Sequence, residues 1–224
     1  NNEDNKTLPT IFPYTSFYFG EETFNNLKYS NEIEFYNIFR DSVTDIHAKK
    51  QVKLSSLFKL NKETIKYASN INYEANFYNQ IFGIEDKKIN GSYITGSYFR
   101  SFPILSINTA TPFKLNNISK NVIYTPKLKL VLTPGISNSD KLSNEDSSVN
   151  SYTIENNAKL NRYTGTDKLD NSKRLDLSLN LNNDKFDATF WTTYEFTNNS
   201  NYHYSQGNEY NLGDLLSNFS FNNN

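Results

Sequence analysis

The residues able to do chemistry in this sequence are few in kind and scattered in position. There are two histidines, His47 and His203, and no Cys, so thiol nucleophiles, disulfides and thiolate metal sites fall away together. Neither histidine belongs to a paired motif that would hold a metal ion. The 24 Asp and Glu spread over 224 residues form close pairs by chance, and no two stand out as a general acid and base. Gly91-Ser92-Tyr93-Ile94-Thr95-Gly96 lacks the glycine spacing of a phosphate-cradling loop. Lys127 and Lys129 alternate with Leu128 and Leu130, which puts both on one strand face; with a net charge of -1 they make no nucleic-acid patch. Asn117-Ile118-Ser119 fits a glycosylation sequon, which a chain with 36 Asn generates freely. The expectation is a protein without catalytic, cofactor or metal residues, and without a nucleic-acid partner.

The elements that must carry these residues are strands. Hydrophobic residues make up 36% of the chain and aromatics 15%, with 17 Phe and 16 Tyr against one Trp. Mean hydropathy is -0.70, and no apolar run approaches the roughly 18 residues of a spanning helix. Strict alternation dominates instead, placing one set of side chains on each face. Leu175, Leu177, Leu179 and Leu181 alternate with Arg174, Asp176, Ser178 and Asn180. Phe186, Ala188, Phe190, Thr192, Tyr194 and Phe196 alternate with Lys185, Asp187, Thr189, Thr193 and Glu195, with Trp191 the exception. The odd positions from Ile65 to Phe77 are mostly apolar and the even ones mostly polar.

This patterning predicts strands near 8–19, 27–40, 47–60, 64–80, 101–113, 122–136, 173–181 and 185–196, and a ninth from about 215, with Tyr93 to Phe99 extending the fifth backwards. Tight turns are expected at Leu60-Asn61-Lys62-Glu63 and Asn182-Asn183-Asp184, a brief link at 41–46, and long connections at 81–92, 137–172 and 197–214. Several runs exceed the usual globular strand of about 5–6 residues and match the roughly 9–11 that cross a bilayer. Short and long connections alternate, as in outer-membrane barrels. The fold class expected is therefore all-β: an antiparallel transmembrane β-barrel segment of about eight or nine meandering strands within a larger barrel. Tyr14, Tyr18, Phe19 and Tyr78 suit interfacial girdles. Alternation by itself also fits a soluble barrel, with its apolar face inward. Residues 1–224 read as a single segment, and with no Met and no leader the chain reads as part of a longer protein.

One run is more specific. Asn161-Arg162-Tyr163-Thr164-Gly165-Thr166-Asp167-Lys168-Leu169-Asp170-Asn171-Ser172-Lys173-Arg174 resembles the barrel signature of the LPS-assembly (LptD) family. That signature reads roughly Asn-Arg-aromatic-x-Gly-x-Asp-Arg, then a short polar turn and another Arg. The chain departs at Lys168, where the family usually has Arg, and at Asn171, where Gly is common. Flanking matches fall in the family's order: Leu8-Pro9, Arg100-Ser101-Phe102-Pro103, Tyr124-Thr125-Pro126 through Leu132-Thr133-Pro134, and Gly213-Asp214-Leu215. Together they cover about 8 to 217.

The resemblance implies a bacterial outer-membrane barrel that inserts lipopolysaccharide into the outer leaflet. Its partners would be lipopolysaccharide, outer-membrane lipid, a plug lipoprotein (LptE-like) and periplasmic bridge proteins, and it would be no enzyme. A general porin or other outer-membrane channel is the alternative, and a soluble extracellular β-rich binding module a third reading. The site residues carried by the resemblance are Asn161, Arg162, Gly165, Asp167, Lys168 and Arg174, with a structural role. Arg162, Asp167, Lys168 and Arg174 form either a charge network closing a loop over the lumen or a solvated loop with surface ion pairs worth about 0–1 kcal/mol each.

The expected facing is testable. Phe190→Lys, on the apolar face, should cost about 2–4 kcal/mol at mid-membrane, whereas Asp187→Lys on the opposite face should be nearly neutral. A folding titration into bilayers reads both, and equal costs would contradict the facing.

Overall fold

Alternation becomes one antiparallel sheet. The computed structural model describes residues 5–115, 122–136, 138–151, 153–196 and 212–221; His203, the 117–119 sequon and most of the 197–214 connection lie outside them. The strands are β1 (Thr10–Phe24), β2 (Leu27–Phe39), β3 (Lys50–Lys66), β4 (Ser69–Ile89), β5 (Ser92–Ala110), β6 (Phe113–Leu115), β7 (Val122–Leu132), β8 (Arg174–Asn182), β9 (Phe186–Glu195) and β10 (Leu216–Phe221). Each pairs with the next in chain order, except that short β6 sits beside β7 and leaves β5 to pair β7 directly. The sheet is open, with β1 and β10 as its edges. Among the described residues the helical content is a 3-10 turn at Asn5–Thr7 and one turn of helix, α1 (Ile154–Asn157).

Two expected connections are instead paired strand. Leu60 to Glu63 lies inside β3, where Leu60, Asn61 and Lys62 face Ala75, Glu74 and Tyr73 of β4. The reversal comes at Tyr67-Ala68, both with positive φ (51° and 61°). Tyr and Ala carry no turn signal, and the polar run that mimicked one is a strand stretch with a polar face. The two-residue turn also reverses parity, so Ile65, opposite Asn70, does not share a face with Ile71, which pairs Thr64. The predicted long connection at 81–92 is a hairpin whose strands keep pairing to Ile89–Ser92 around Asn90-Gly91. Its polar residues belong to strands that project beyond their neighbours.

Short and long connections segregate only in part, because the two-residue turn Asn90-Gly91 lies at the same end as the long ones. Asn25-Asn26, Tyr67-Ala68 and 183–185 turn at one end, while 40–49, the projecting hairpin and 133–173 lie at the other. The strands are strongly staggered. A hydrogen-bonded row runs from Tyr29 through Leu60, Ala75 and Leu105 to Leu132, entering near the turn end of β2 and leaving at the far end of β7. Such shear tilts strands in a curved sheet.

The two faces differ. On one, Phe35, Leu54, Ile81 and Phe99 share a row, and Leu54, Ile81 and Phe99 are 44%, 52% and 69% exposed. Leu175 to Leu181 continues that face on β8, over roughly 20 Å at about 3.3 Å per residue. The other face is polar along most of its length, and residues 138–173 fold down onto it. The buried core sits between them: Tyr78, Phe102, Ile104 and Val131 from the sheet meet Leu160 and Leu169 from the loop, and Phe82 and Ile84 meet Ala48. Each buried Phe, Ile, Leu or Val among them contributes about 1.5–3 kcal/mol. Tyr78 is thus a core residue and no girdle member. Tyr14 and Tyr18 are also on the loop-bearing face, opposite Tyr36 and Glu32; of the four expected girdle residues, Phe19 alone is on the bare face.

Left-handed backbone costs an L-residue about 1–2 kcal/mol, and Asn-Gly suits such a hairpin. Replacing Tyr67-Ala68 by Asn-Gly should therefore raise stability by about 1 kcal/mol in denaturant unfolding.

Candidate functional site

The site is the contact between the 133–173 segment and the polar face. The segment first holds itself. Asn161 spans it with both ends of its side chain: Oδ1 accepts from the Asp170 N–H at 3.0 Å, and Nδ2 donates to the Gly165 carbonyl at 3.0 Å. Two aspartates then clasp each other's backbone. Asp146 accepts from the N–H of Thr166 and Asp167, at 3.1 and 2.8 Å. Asp167 accepts in return from the N–H of Glu145 and Asp146, at 2.7 and 3.2 Å. Gly165 lies under this clasp. A Cβ there would stand 2.5 Å from the Asp146 carbonyl oxygen, so only glycine admits the approach.

Three groups of buried charges dock the clasp on the sheet. In the first, Lys53 of β3, fully buried, reaches Asp167 at 2.6 Å and Asp146 at 3.0 Å. Tyr36 donates its hydroxyl to Asp167 at 3.0 Å. Arg100 of β5 donates to the Thr166 and Asp167 carbonyls at 2.7 and 2.9 Å. In the second, Arg162 binds Asp170 at 2.5 Å and Glu195 of β9 at 2.7 Å. Arg174 of β8 binds Asp170 and Asp176, each at 3.1 Å. In the third, Arg40 grips Glu145 with two nitrogens, at 2.5 and 3.1 Å, with the His47 Nδ1 3.5 Å from the same carboxylate.

The expected network thus exists as separate pieces. Asp167 is in the Lys53 group, while Arg162 and Arg174 meet 0% exposed over Asp170. Lys168 joins neither group. Its N–H donates to Ser147 Oγ at 2.9 Å, and its side chain lines a cavity of about 400 Å³ beside Lys87 and Asp140. His47 sits in the 40–49 connection and does not start a strand. Among the described residues no group of three or more His, Cys, Asp and Glu is placed to hold a metal ion.

Sequence reasoning missed Lys53, Arg40, Glu145, Asp146 and Asp170. Arg174, Asp176 and Glu195 were visible as members of a polar face. The remaining signal was a lone Lys between Gln51 and Ser55 on one face of β3.

Charge balance governs these carboxylates. Burial pushes Glu145 up, but His47, Arg40 and Ser143 outweigh it and hold the carboxyl at about 2. Burial also pushes Asp146 up, and the Lys53 charge, the Ser147 hydroxyl and the Asp167 N–H bring it below the usual carboxylate range. For Asp167 burial wins, and its carboxyl is raised. Their lone pairs are committed to N–H groups, Lys or Arg, so the arrangement holds a loop in place. Under the loop the polar face keeps two cavities: about 550 Å³ lined by Lys28, Lys59, Glu74 and Lys129, and about 320 Å³ lined by Lys127, Asp176, Asn180 and Trp191.

No protein-family model matches the chain, and no curated protein matches it.

Gly165→Ala should undock the segment, read as rapid protease cleavage between 138 and 172 that the parent resists. Arg174→Met leaves Asp170 and Asp176 short of a buried cation and should cost about 3–5 kcal/mol in unfolding experiments. Because the Glu145 carboxyl is depressed from 4.5 to about 2, its stabilisation is complete above about pH 4.5 and is lost as pH falls toward 2. Glu145→Gln should abolish that part of the acid dependence of loop cleavage.

Proposed function

We propose that this chain is a segment of a bacterial outer-membrane β-barrel that assembles lipopolysaccharide into the outer leaflet. The observation that carries the membrane part is the bare apolar face. Rows such as Leu54, Ile81 and Phe99 stay exposed while charged side chains collect under the loop on the other face. Exposed apolar patches of this extent on a soluble protein call for a partner surface, and lipid supplies one for every strand at once. The opposite face, with its Lys- and Glu-lined cavities, would line a hydrated lumen. Further strands beyond β1 and β10 would close the sheet, because unpaired edges are not tolerated in hydrocarbon.

The lipopolysaccharide part rests on the resemblance of Asn161 to Arg174 to the LPS-assembly family. What supports it is that the motif residues have separate structural uses: Asn161 spans the segment, Gly165 permits the clasp, Asp167 takes Lys53, and Arg162 and Arg174 share Asp170. Lipid would follow the polar path without covalent chemistry, delivered by periplasmic bridge proteins, with a plug lipoprotein in the lumen. The porin reading draws on the same hydrated face and needs no motif.

Depletion of the parent protein separates these readings. Loss of lipopolysaccharide from the cell surface, with accumulation inside the envelope, is expected. Unchanged surface lipopolysaccharide with lost ion conductance would make it a porin. A chain that stays monomeric in water without detergent would end both membrane readings.

A further inference from the structure

Trp191 is the only tryptophan in the chain, and it breaks the alternation of β9 by lying on the loop-bearing face. It is 3% exposed, yet it belongs to neither apolar cluster of the core. Instead it forms one wall of the cavity of about 320 Å³. Lys127 of β7, Ser178 of β8 and Trp191 of β9 are consecutive cross-strand partners. The ammonium-bearing and indole-bearing positions therefore stand two strand spacings apart, about 10 Å, with the small Ser178 between them. Ile154 of α1 and Ala158 line the notch from the loop side.

Asn180 and Thr189, partners of each other, occupy the next row toward the turns, and Asn108 lines the cavity from β5. Among the described residues the side chains of Asn108, Lys127, Ser178, Asn180, Thr189 and Trp191 make no hydrogen bond or ion pair. The charges beside them are committed. Lys129 takes Glu74 at 3.5 Å and the Ala158 carbonyl at 3.0 Å. Asp176 accepts from Arg174 at 3.1 Å and from Thr193 at 2.8 Å. Lys127 is left as the half-buried cation of the notch.

A ligand that completes this set needs three things. It must offer an apolar surface with an acceptor at its edge for the indole, hydroxyls that both donate and accept for the amide and hydroxyl side chains, and one anionic group for the ammonium. Small-molecule sites are usually lined by apolar side chains; here one aromatic stands among polar groups. A sugar ring has that division, with C–H bonds on its faces and hydroxyls around its rim. We infer that the notch binds one acidic pyranose, a ring bearing a carboxylate or phosphate. Trp191 sits beside the ring, Lys127 on the anionic group, and Asn108, Ser178, Asn180 and Thr189 on the hydroxyls. The volume is at the lower end of the roughly 300–1,000 Å³ of ligand sites, room for a single ring. The notch lies on the face that the loop covers, so binding does not require the bare face to meet lipid.

Equilibrium dialysis of the full-length parent protein against radiolabelled glucuronate reads binding directly. One saturable site per chain is expected, with glucose competing about tenfold more weakly because it lacks the charge-assisted bond. Lys127→Met should weaken glucuronate about tenfold, to the level of glucose. Trp191→Phe should weaken both sugars alike, and Lys66→Met, at the Tyr67-Ala68 turn, should change neither. Protease resistance of 138–172 shows that each variant keeps its loop docked. In the unaltered protein glucuronate should slow acylation of Lys127 by an amine reagent and leave Lys66 as reactive as before. Lipopolysaccharide that displaces glucuronate identifies a lipid-linked glycan as the source, and glucuronate that stays bound identifies a free sugar acid; either result supports the site. No saturable uptake, inorganic phosphate competing as well as glucuronate, or unchanged binding by Lys127→Met would overturn the inference. None of these three results would alter the outcome expected from depletion.

Discussion

A buried lysine shared by two aspartates holds the most unusual part of this structure in place. Lys53 has no exposed side-chain surface, and Asp167 and Asp146 lie 2.6 and 3.0 Å from its ammonium. Burying such charges costs several kcal/mol per ion unless hydrogen bonds make up the difference. Here they do, because the two carboxylates also take backbone N–H groups from each other's strand of the loop. One cation on β3 therefore fixes two chain segments about twenty residues apart. Without it Tyr36 and Arg100 would still hold the clasp on the sheet, but two buried aspartates would lack their cation.

That hold explains why a long polar segment folds onto a polar surface. Hydrophobic burial alone would not direct it there, since the larger apolar area is on the other face. The Arg162 and Arg174 group over Asp170 and the Arg40–Glu145 pair repeat the solution at two more points. Leu160 and Leu169, seated against Phe102, Ile104 and Val131, add the apolar part once the charges have set the position. Buried pairs of this kind are screened little by salt, so the attachment is a fixed part of the fold.

The result is a sheet with one face closed by its own loop and one left open. In water that division would be backwards. In a bilayer it is ordered correctly, with acyl chains against the Leu and Phe rows and water against Lys, Glu and Asn. The proposed lipopolysaccharide role depends on this orientation, through the loop that roofs the polar path.

Strand identity was legible in the residues, because period-two alternation survives whatever the sheet packs against: the Leu175 to Leu181 row and the Asn182 to Asp184 turn are visible without coordinates. The run from Asn161 to Arg174 stood out through its resemblance to the signature of the LPS-assembly family, and its residues alone left open whether the charges pair or stay solvated. The turn at Tyr67-Ala68 was not legible, since neither residue prefers positive φ and the long pairing of β3 with β4 imposes it. Nor was Lys53, which looks like any other lysine on a polar strand face. Its partners are about a hundred residues away in sequence, and only the folding of the loop back across the sheet decides which strand charges are buried and paired and which remain in water.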